Sequence, residues 1–291
     1  MACAVTVATP SADAIQAESG GGAIIVSADT GNRPANLYRI SSIGQAHRLD
    51  VNRADETDPA LSPDGREIVY VHSTRANCDR CGSTLWIANA DGTGAHALTA
   101  QLPGTDSFDQ HPTWAPDGNE IVFARQTLSS YELYRVAASG GTPRDLFIPG
   151  ISPAWGATRI AYLGPPPLRP GPDTLWTVKP DGTDPVQLTT DFVVSPAWSS
   201  KGTLAYLVQP PTGPATLVVS THHFLLPVTG ATSLAWSPGG NQLAITAQNI
   251  TAQSTPSGHP RLYIVNADGT AFRPVHTTLD ALGVTWGTKS T

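Results

Sequence analysis

Short apolar runs, each bounded by turn-forming residues, are the dominant pattern along this chain. Two examples are Glu-Ile-Val-Tyr-Val at 67–71 and Glu-Ile-Val-Phe-Ala at 120–124. Asp-Gly pairs, as at 64–65 and 117–118, precede these runs. Stretches of β-branched, aromatic and aliphatic residues between such turns are typical of β-strands joined in hairpins. The pattern therefore predicts an all-β fold with many short strands.

Two longer phrases that contain these runs each recur six times. The first reads His-Pro-Thr-Trp-Ala-Pro-Asp-Gly at 111–118, and its fourth residue is an apolar anchor in every copy. The six anchors are Leu61, Trp114, Trp155, Trp198, Trp236 and Trp286. The second phrase reads Glu-Leu-Tyr-Arg-Val at 132–136. Four short strands in a unit of about 45 residues make one blade of a β-propeller, so the repeats predict six four-stranded antiparallel blades.

The order of the phrases predicts how the ring of blades closes. The chain enters at 23–26, in the second strand of the first blade. The innermost strand of that blade comes from the last copy of the first phrase, at 283–286. Pairing of the last strand with the first blade leaves few strand edges exposed. We therefore predict a single propeller domain at 23–291, preceded by a flexible leader or linker at 1–22.

Composition narrows the class of protein further. Only 14% of the residues are charged, the net charge is −6, and Gly and Pro number 27 and 26. Few charges and many helix breakers argue against a helical bundle, and the acidic balance argues against nucleic-acid binding through phosphate contacts. No apolar run approaches the roughly 18 residues of a membrane-spanning helix. We expect a monomer that has no transmembrane segment and binds no nucleic acid.

The residue three positions before each anchor begins the innermost strand of its blade and should line the central channel. These ring residues are Asp58, His111, Ser152, Ser195, Ser233 and Gly283. Glu56 and Asp109 each lie two residues upstream of a ring residue. Long loops at the same face add binding potential, because loops on a rigid scaffold often carry binding residues. We therefore predict a channel mouth for binding, formed by Glu56, Asp58, Asp109, His111, Ser152, Ser195 and Ser233.

The acids of this mouth suggest what it would attract. A narrow acidic channel with low-dielectric walls favours a cation or a basic peptide segment. We expect no cofactor, with Ca²⁺ in the channel as the alternative, because oxygen ligands suit this ion. If a metal binds, Asp58, Asp109 and His111 are the candidate ligands. The competing interpretation is that these acids are solvated loop residues and turn-capping aspartates.

The cysteines Cys3, Cys78 and Cys81 relate to the compartment. Cys78 and Cys81 form a Cys-x-x-Cys pair in a long loop of the second blade, and we predict that they form a disulfide. The alternatives are a redox pair, or half of a zinc site that His72 or His111 would complete. Cys3 is a candidate for lipid attachment, and an incidental cysteine in a tail is the alternative. A disulfide favours a periplasmic, secreted or lipid-anchored protein, with a cytoplasmic location as the alternative.

The repeats resemble those of a known family. The phrase Trp-Ala-Pro-Asp-Gly at 114–118, the strand Ile-Val-Phe at 121–123, and the later Leu-Tyr or Leu-Trp with Asp-Gly-Thr look like the WD40-like (PD40) repeat of the TolB-like propellers. The resemblance covers all six units. It implies a propeller without the α/β domain that precedes it in TolB, from a class mostly found in the bacterial cell envelope.

Function is expected to be binding rather than catalysis. The sequence contains no Gly-x-Ser-x-Gly, no His-Glu-x-x-His and no P-loop. We therefore expect a scaffold for an envelope protein or peptide that docks on the long-loop face. Some TolB-like propellers are lyases that hold a metal with several channel histidines. The alternative is thus a metal-dependent lyase or hydrolase acting on a carbohydrate or lactone, although in this chain only His111 occupies the ring.

Overall fold

The computed structural model describes residues 22–29, 34–41, 44–49, 51, 54–73, 82–103, 106–127, 130–165, 173–249 and 260–288. Within these ranges the regular elements are 24 β-strands. In the same ranges there is no helix of the length and apolar character needed to cross a membrane. The described residues do not include Cys3, Cys78 or Cys81. They include only Gly22 of the predicted leader at 1–22.

The strands form six four-stranded antiparallel blades, and a parallel pairing of Ser83 with Phe108 joins blades two and three into one eight-stranded sheet. Within each blade the strands are named from the innermost outward. Blade one contains β24 (Asp280–Gly287), β1 (Ala23–Asp29), β2 (Asn36–Ile40) and β3 (Ala46–Arg48). Blade two contains β4 (Asp55–Leu61), β5 (Glu67–Ser73), β6 (Ser83–Asn89) and β7 (His96–Ala97). Blade three contains β8 (Ser107–Trp114), β9 (Glu120–Thr127), β10 (Ser130–Ala137) and β11 (Arg144–Pro149).

The remaining blades follow the same order. Blade four contains β12 (Ile151–Trp155), β13 (Ile160–Gly164), β14 (Thr174–Val178) and β15 (Val186–Gln187). Blade five contains β16 (Val193–Trp198), β17 (Leu204–Val208), β18 (Thr216–Val219) and β19 (His222–Leu225). Blade six contains β20 (Val228–Trp236), β21 (Gln242–Asn249), β22 (Arg261–Asn266) and β23 (Arg273–Pro274). The predicted all-β propeller is confirmed.

The last strand completes the first blade, as the repeat order predicts. β24 pairs antiparallel with β1, with Trp286 opposite Ile24 and Val284 opposite Val26. Each innermost strand also contacts the innermost strand of the next blade, and β24 contacts both β20 and β4. The two ends of the described chain are therefore joined by strand pairing. The division into a leader and one domain stays a prediction.

The core lies between the blades rather than within one of them. Alternate side chains of β1 enter different clusters, because successive residues of a strand point to opposite faces. Ile25 packs with Tyr70 of blade two, whereas Val26 packs with Ile264 of blade six. Both faces of β1, the second strand of blade one, are thus buried. This explains why its sequence is a continuous apolar run instead of an alternating one.

The anchors and the turns hold neighbouring blades in register. The indole N–H of Trp114 donates to the carbonyl of Ala60 in the preceding blade (2.9 Å), and Trp236 donates in the same way to Ala197 (3.1 Å). In the turn that follows the first anchor, Gly65 has a φ of 71°, a conformation that favours glycine. Its place against the Thr288 backbone leaves no room for a Cβ.

Candidate functional site

Four ring residues adopt an uncommon backbone conformation. The φ angles of Asp58, His111, Ser152 and Ser195 are 47°, 50°, 49° and 49°. Each of the four is followed by proline, and the strand register shifts at the same point in each blade. Proline has no N–H, so the ladder loses no donor where the bulge interrupts it. A bulge re-aims the side chain that it carries, and these four residues lie on the channel wall.

Ring side chains also join adjacent blades. The backbone N–H of His111 donates to Oδ2 of Asp58 (3.1 Å). Two residues of the ring repeat this bond with the backbone of the next blade: Oγ of Ser195 accepts from Leu234 (2.8 Å), and Oγ of Ser233 accepts from Val284 (3.2 Å). Because each of these three bonds crosses a blade boundary, the ring side chains both line the channel and link neighbouring blades.

The innermost strands enclose a channel of about 760 Å³. Its wall includes five of the predicted mouth residues: Asp58, His111, Ser152, Ser195 and Ser233. Two large apolar residues of the wall remain open to solvent, Phe192 with 42% and Leu282 with 39% of their surface exposed. The wall therefore combines hydroxyl groups, one imidazole and exposed apolar surface.

Asp173 also lies on this wall, and sequence reasoning missed it. It directly precedes β14 and belongs to neither repeated phrase, so its only sequence signal is its position at the end of a long loop, 164–173. Burial raises the pKa of the Asp173 carboxyl above its usual range.

Two predicted mouth residues, Glu56 and Asp109, lie elsewhere, and their placement at the mouth is wrong. Both are fully buried and neither belongs to the channel wall. Asp109 forms a bidentate ion pair with Arg125, with oxygen–nitrogen distances of 2.6 and 2.8 Å, and it also accepts a hydrogen bond from the Thr99 hydroxyl (2.5 Å). The carboxylate is thus occupied inside blade three.

Glu56 occupies the equivalent position in blade two with poorer partners. Its Oε1 accepts from the backbone of Ala54 (3.2 Å) and lies 3.6 Å from Nδ1 of His72. Its Oε2 is buried without a hydrogen-bond partner among the described residues. Burial raises the pKa of Glu56 to about 7 and lowers the pKa of His72. An ion pair would require both side chains to be charged, but burial disfavours the charged form of each. At a separation of 3.6 Å, the attraction between the two charges does not offset this desolvation cost.

The predicted metal ligands do not come together. Nε2 of His111 lies 3.8 Å from Oδ2 of Asp58, but Asp109 is held by Arg125 away from the channel wall. In the part of the chain that the structure describes, no three His, Cys, Asp or Glu side chains are grouped to hold a metal ion. The structure therefore separates Asp109 from the neighbouring side chains Asp58 and His111.

Comparison with known proteins identifies the fold. No protein-family model and no curated protein matches this sequence. Among solved structures, TolB from Acinetobacter baumannii superposes with a TM-score of 0.72 at 16% identity, over 92% of this chain and 67% of that one. This chain has the TolB-like β-propeller fold.

Other neighbours of this TolB-like propeller show how broadly the fold is used. A nidogen/laminin complex gives a TM-score of 0.65 at 10% identity, over 93% of this chain and 100% of that one. An oligogalacturonate lyase in complex with manganese gives 0.56 at 14% identity, over 90% and 82%. Since an enzyme and a protein complex share the fold, function has to be argued from the channel wall itself.

Proposed function

We propose that this TolB-like propeller is a binding or scaffold module that holds a segment of a protein or peptide partner at its channel mouth. The observation that carries the proposal is the exposed apolar surface of Phe192 and Leu282 on a wall that also carries the hydroxyls of the ring. A volume of about 760 Å³ is in the range of sites that enclose a ligand.

The two kinds of wall group suit the two parts of a peptide. Burying exposed apolar side chains against a partner is favourable by about 25 cal/mol per Å². Ser and Thr hydroxyls both donate and accept, so they match the N–H and C=O groups of an extended backbone. The bonds from the ring to the next blade fix Ser195 and Ser233 in advance, which reduces the ordering cost on binding.

Peptides selected from a random phage-displayed library against the full chain test this proposal. We expect the double substitution Phe192→Ala/Leu282→Ala to weaken their binding by about tenfold or more, equivalent to about 1.4 kcal/mol. The matched control is Phe147→Ala/Leu225→Ala, which removes apolar side chains that are 85% and 72% exposed on outer strands. Equal losses in the two variants, or none in either, would contradict binding at the mouth.

The cell envelope is the proposed location, supported by the resemblance of the repeats to the TolB-like propellers. The pair Cys78 and Cys81 gives a direct test of the compartment. Outside the cytoplasm the two thiols should be oxidised to a disulfide. Mass spectrometry of alkylated, non-reduced protein from its native compartment should show a deficit of two hydrogens on the peptide that holds both. Two alkylated thiols there would instead support a cytoplasmic protein.

The alternative function, a metal-dependent lyase or hydrolase, is favoured by the likeness to the manganese-bound lyase. Among the described residues of the wall, Asp58 and His111 lie 3.8 Å apart, and no three His, Cys, Asp or Glu side chains are grouped to hold a metal ion. A rise in melting temperature on adding Mn²⁺ or Ca²⁺ that is lost in His111→Ala would revive this alternative. No rise would remove it.

A further inference from the structure

The described part of the channel wall carries two carboxyl groups and no Lys or Arg side chain. Among the described residues that line it, the ionisable side chains are Asp58, Asp173 and His111, and none is Lys or Arg. Asp58 already accepts a hydrogen bond from the backbone of His111 and lies 3.8 Å from its imidazole. The carboxyl groups therefore give the wall a negative potential. The second of them, Asp173, lies in a different environment from Asp58.

Asp173 differs from Asp58 in having no partner among the described residues. Among the residues that the structure describes, its carboxyl makes no hydrogen bond and no ion pair. Desolvation alone shifts its pKa upward. Asp173 is half-buried, so its carboxylate has lost part of its water without gaining a described donor, and a cation that arrives with a ligand offsets that cost.

The surroundings of Asp173 strengthen this preference. Leu163, Phe192 and Val194 line the same channel. Apolar walls lower the effective dielectric constant, so a charge pair formed there is stronger than on an open surface. Lys and Arg side chains have long aliphatic stems that pack on apolar surface while the charged end reaches a polar group.

We propose that the channel mouth selects a basic segment of its partner, with Asp173 as the counter-ion for a Lys or Arg side chain and Phe192 as the surface on which the aliphatic stem packs. The inference rests on the proposed binding function and specifies the chemistry of the ligand. Asp58 adds negative potential at the same mouth without releasing its bond to His111. The partner segment is thus both basic and apolar.

The test compares the peptides that three forms of the full chain select from one random phage-displayed library. Wild type is compared with Asp173→Asn, which keeps the shape of the side chain and removes its charge. The matched control is Glu67→Gln, which removes one charge from an exposed position at the start of β5, away from the channel wall. Because Asp173 has no described partner, we expect Asp173→Asn to fold with unchanged stability, which thermal unfolding would check.

We expect Lys and Arg to be enriched at one position of the peptides selected by wild type and by Glu67→Gln, and not by Asp173→Asn. For one selected peptide, replacing that basic residue with Gln should weaken binding at least about fivefold to wild type and less than about twofold to Asp173→Asn, a double-mutant cycle for the charge pair.

The outcomes separate this inference from the proposed function. Neutral or acidic peptides that depend on Phe192 and Leu282 would overturn the inference and leave the binding function standing. Basic peptides that bind Asp173→Asn as well as wild type would also overturn it. If no peptide is selected above background, both the inference and the proposed function fail.

Discussion

Blades two and three place an acidic residue at the same cross-strand position but surround it differently. Glu56 faces His72 across β4 and β5, and Asp109 faces Arg125 across β8 and β9. The corresponding pair is apolar in blade five, where Val193 faces Val208. Blades two and three thus bury ionisable side chains at a position where blade five has apolar ones, so the fold does not require charged groups there.

In blade three the buried acid is fully compensated. The guanidinium of Arg125 spans both oxygens of Asp109, and its carbon lies 5.3 Å from the ring centroid of Phe123 and 5.2 Å from that of Tyr134. Charge-assisted bidentate bonds and aromatic faces replace the water that the two charges lost. The ion pair is therefore a fixed part of the blade.

In blade two the shorter imidazole does not achieve this. His72 packs on Trp86 with ring centroids 4.5 Å apart, but its Nδ1 and Oε2 of Glu56 have no hydrogen-bond partner among the described residues. The two pairs therefore differ in the reach and number of donors of the basic residue and not in their position in the fold. In blade two, burial raises the pKa of Glu56 to about 7.

The largest expected effect comes from breaking the compensated pair. Arg125→Met keeps much of the side-chain volume but leaves Asp109 buried without its counter-charge, which should lower the free energy of unfolding by about 3–5 kcal/mol. His72→Met in blade two leaves a carboxyl that already lacks a strong partner, so its loss should be about 1 kcal/mol. Urea unfolding of both variants at pH 7 measures the difference. Similar losses would show that the two blades are equivalent.

The pH dependence of stability should reveal the uncompensated acid. The folded pKa of Glu56 is raised from 4.5 to about 7, so its favourable contribution is complete below the unfolded pKa and is lost as the pH rises through 7. We expect the stability of wild type relative to Glu56→Gln to fall by on the order of 2 kcal/mol between pH 5 and pH 8.

Comparison with Glu56→Gln cancels the contribution of titrating groups that do not contact Glu56, whereas His72 lies 3.6 Å from its carboxyl. Burial lowers the pKa of His72, so its own contribution runs the opposite way and is lost as the pH falls below its usual range. Urea midpoints of the two proteins at matched pH values give the difference directly. A difference that is constant from pH 5 to pH 8 would show that Glu56 does not titrate in this range.

The smallest effect is expected from transferring the blade-three base into blade two. His72→Arg brings a guanidinium next to Glu56, which should ionise the carboxyl and remove the fall in stability above pH 5. The net change at pH 7 should be under about 1 kcal/mol, since a buried ion pair gains little over neutral groups. A pH profile of His72→Arg that matches wild type would indicate that Trp86 leaves no room for the pair.

The sequence predicted the blades more fully than the site. Six copies of the anchor phrase indicated the blade number and the pairing of β24 with β1, because repeats report a local pattern that each blade must satisfy. The position of Glu56 depends on the strand register, which the repeats do not predict. A register shift between Thr57 and Ala60 separates Glu56 from Asp58, although the two residues are only two positions apart. The Asp-Pro pair at 58–59 is the sequence signal of that bulge, but proline alone does not give its direction.

Contacts across long separations also lay beyond the sequence. Asp109 and Arg125 are 16 residues apart, and their pairing follows only once the hairpin register is known. Asp173 belongs to no repeated phrase, so nothing in the periodic pattern places it on the channel wall.

Neither buried pair reaches the channel wall, so we assign binding to the mouth and stability to the pairs. Amide hydrogen exchange with and without a selected peptide tests this division most directly. We expect slower exchange on binding at 192–195 and 282–284, and no change at 55–57 or 123–126. Protection confined to the outer strands, or greatest around Glu56 and Arg125, would contradict this division.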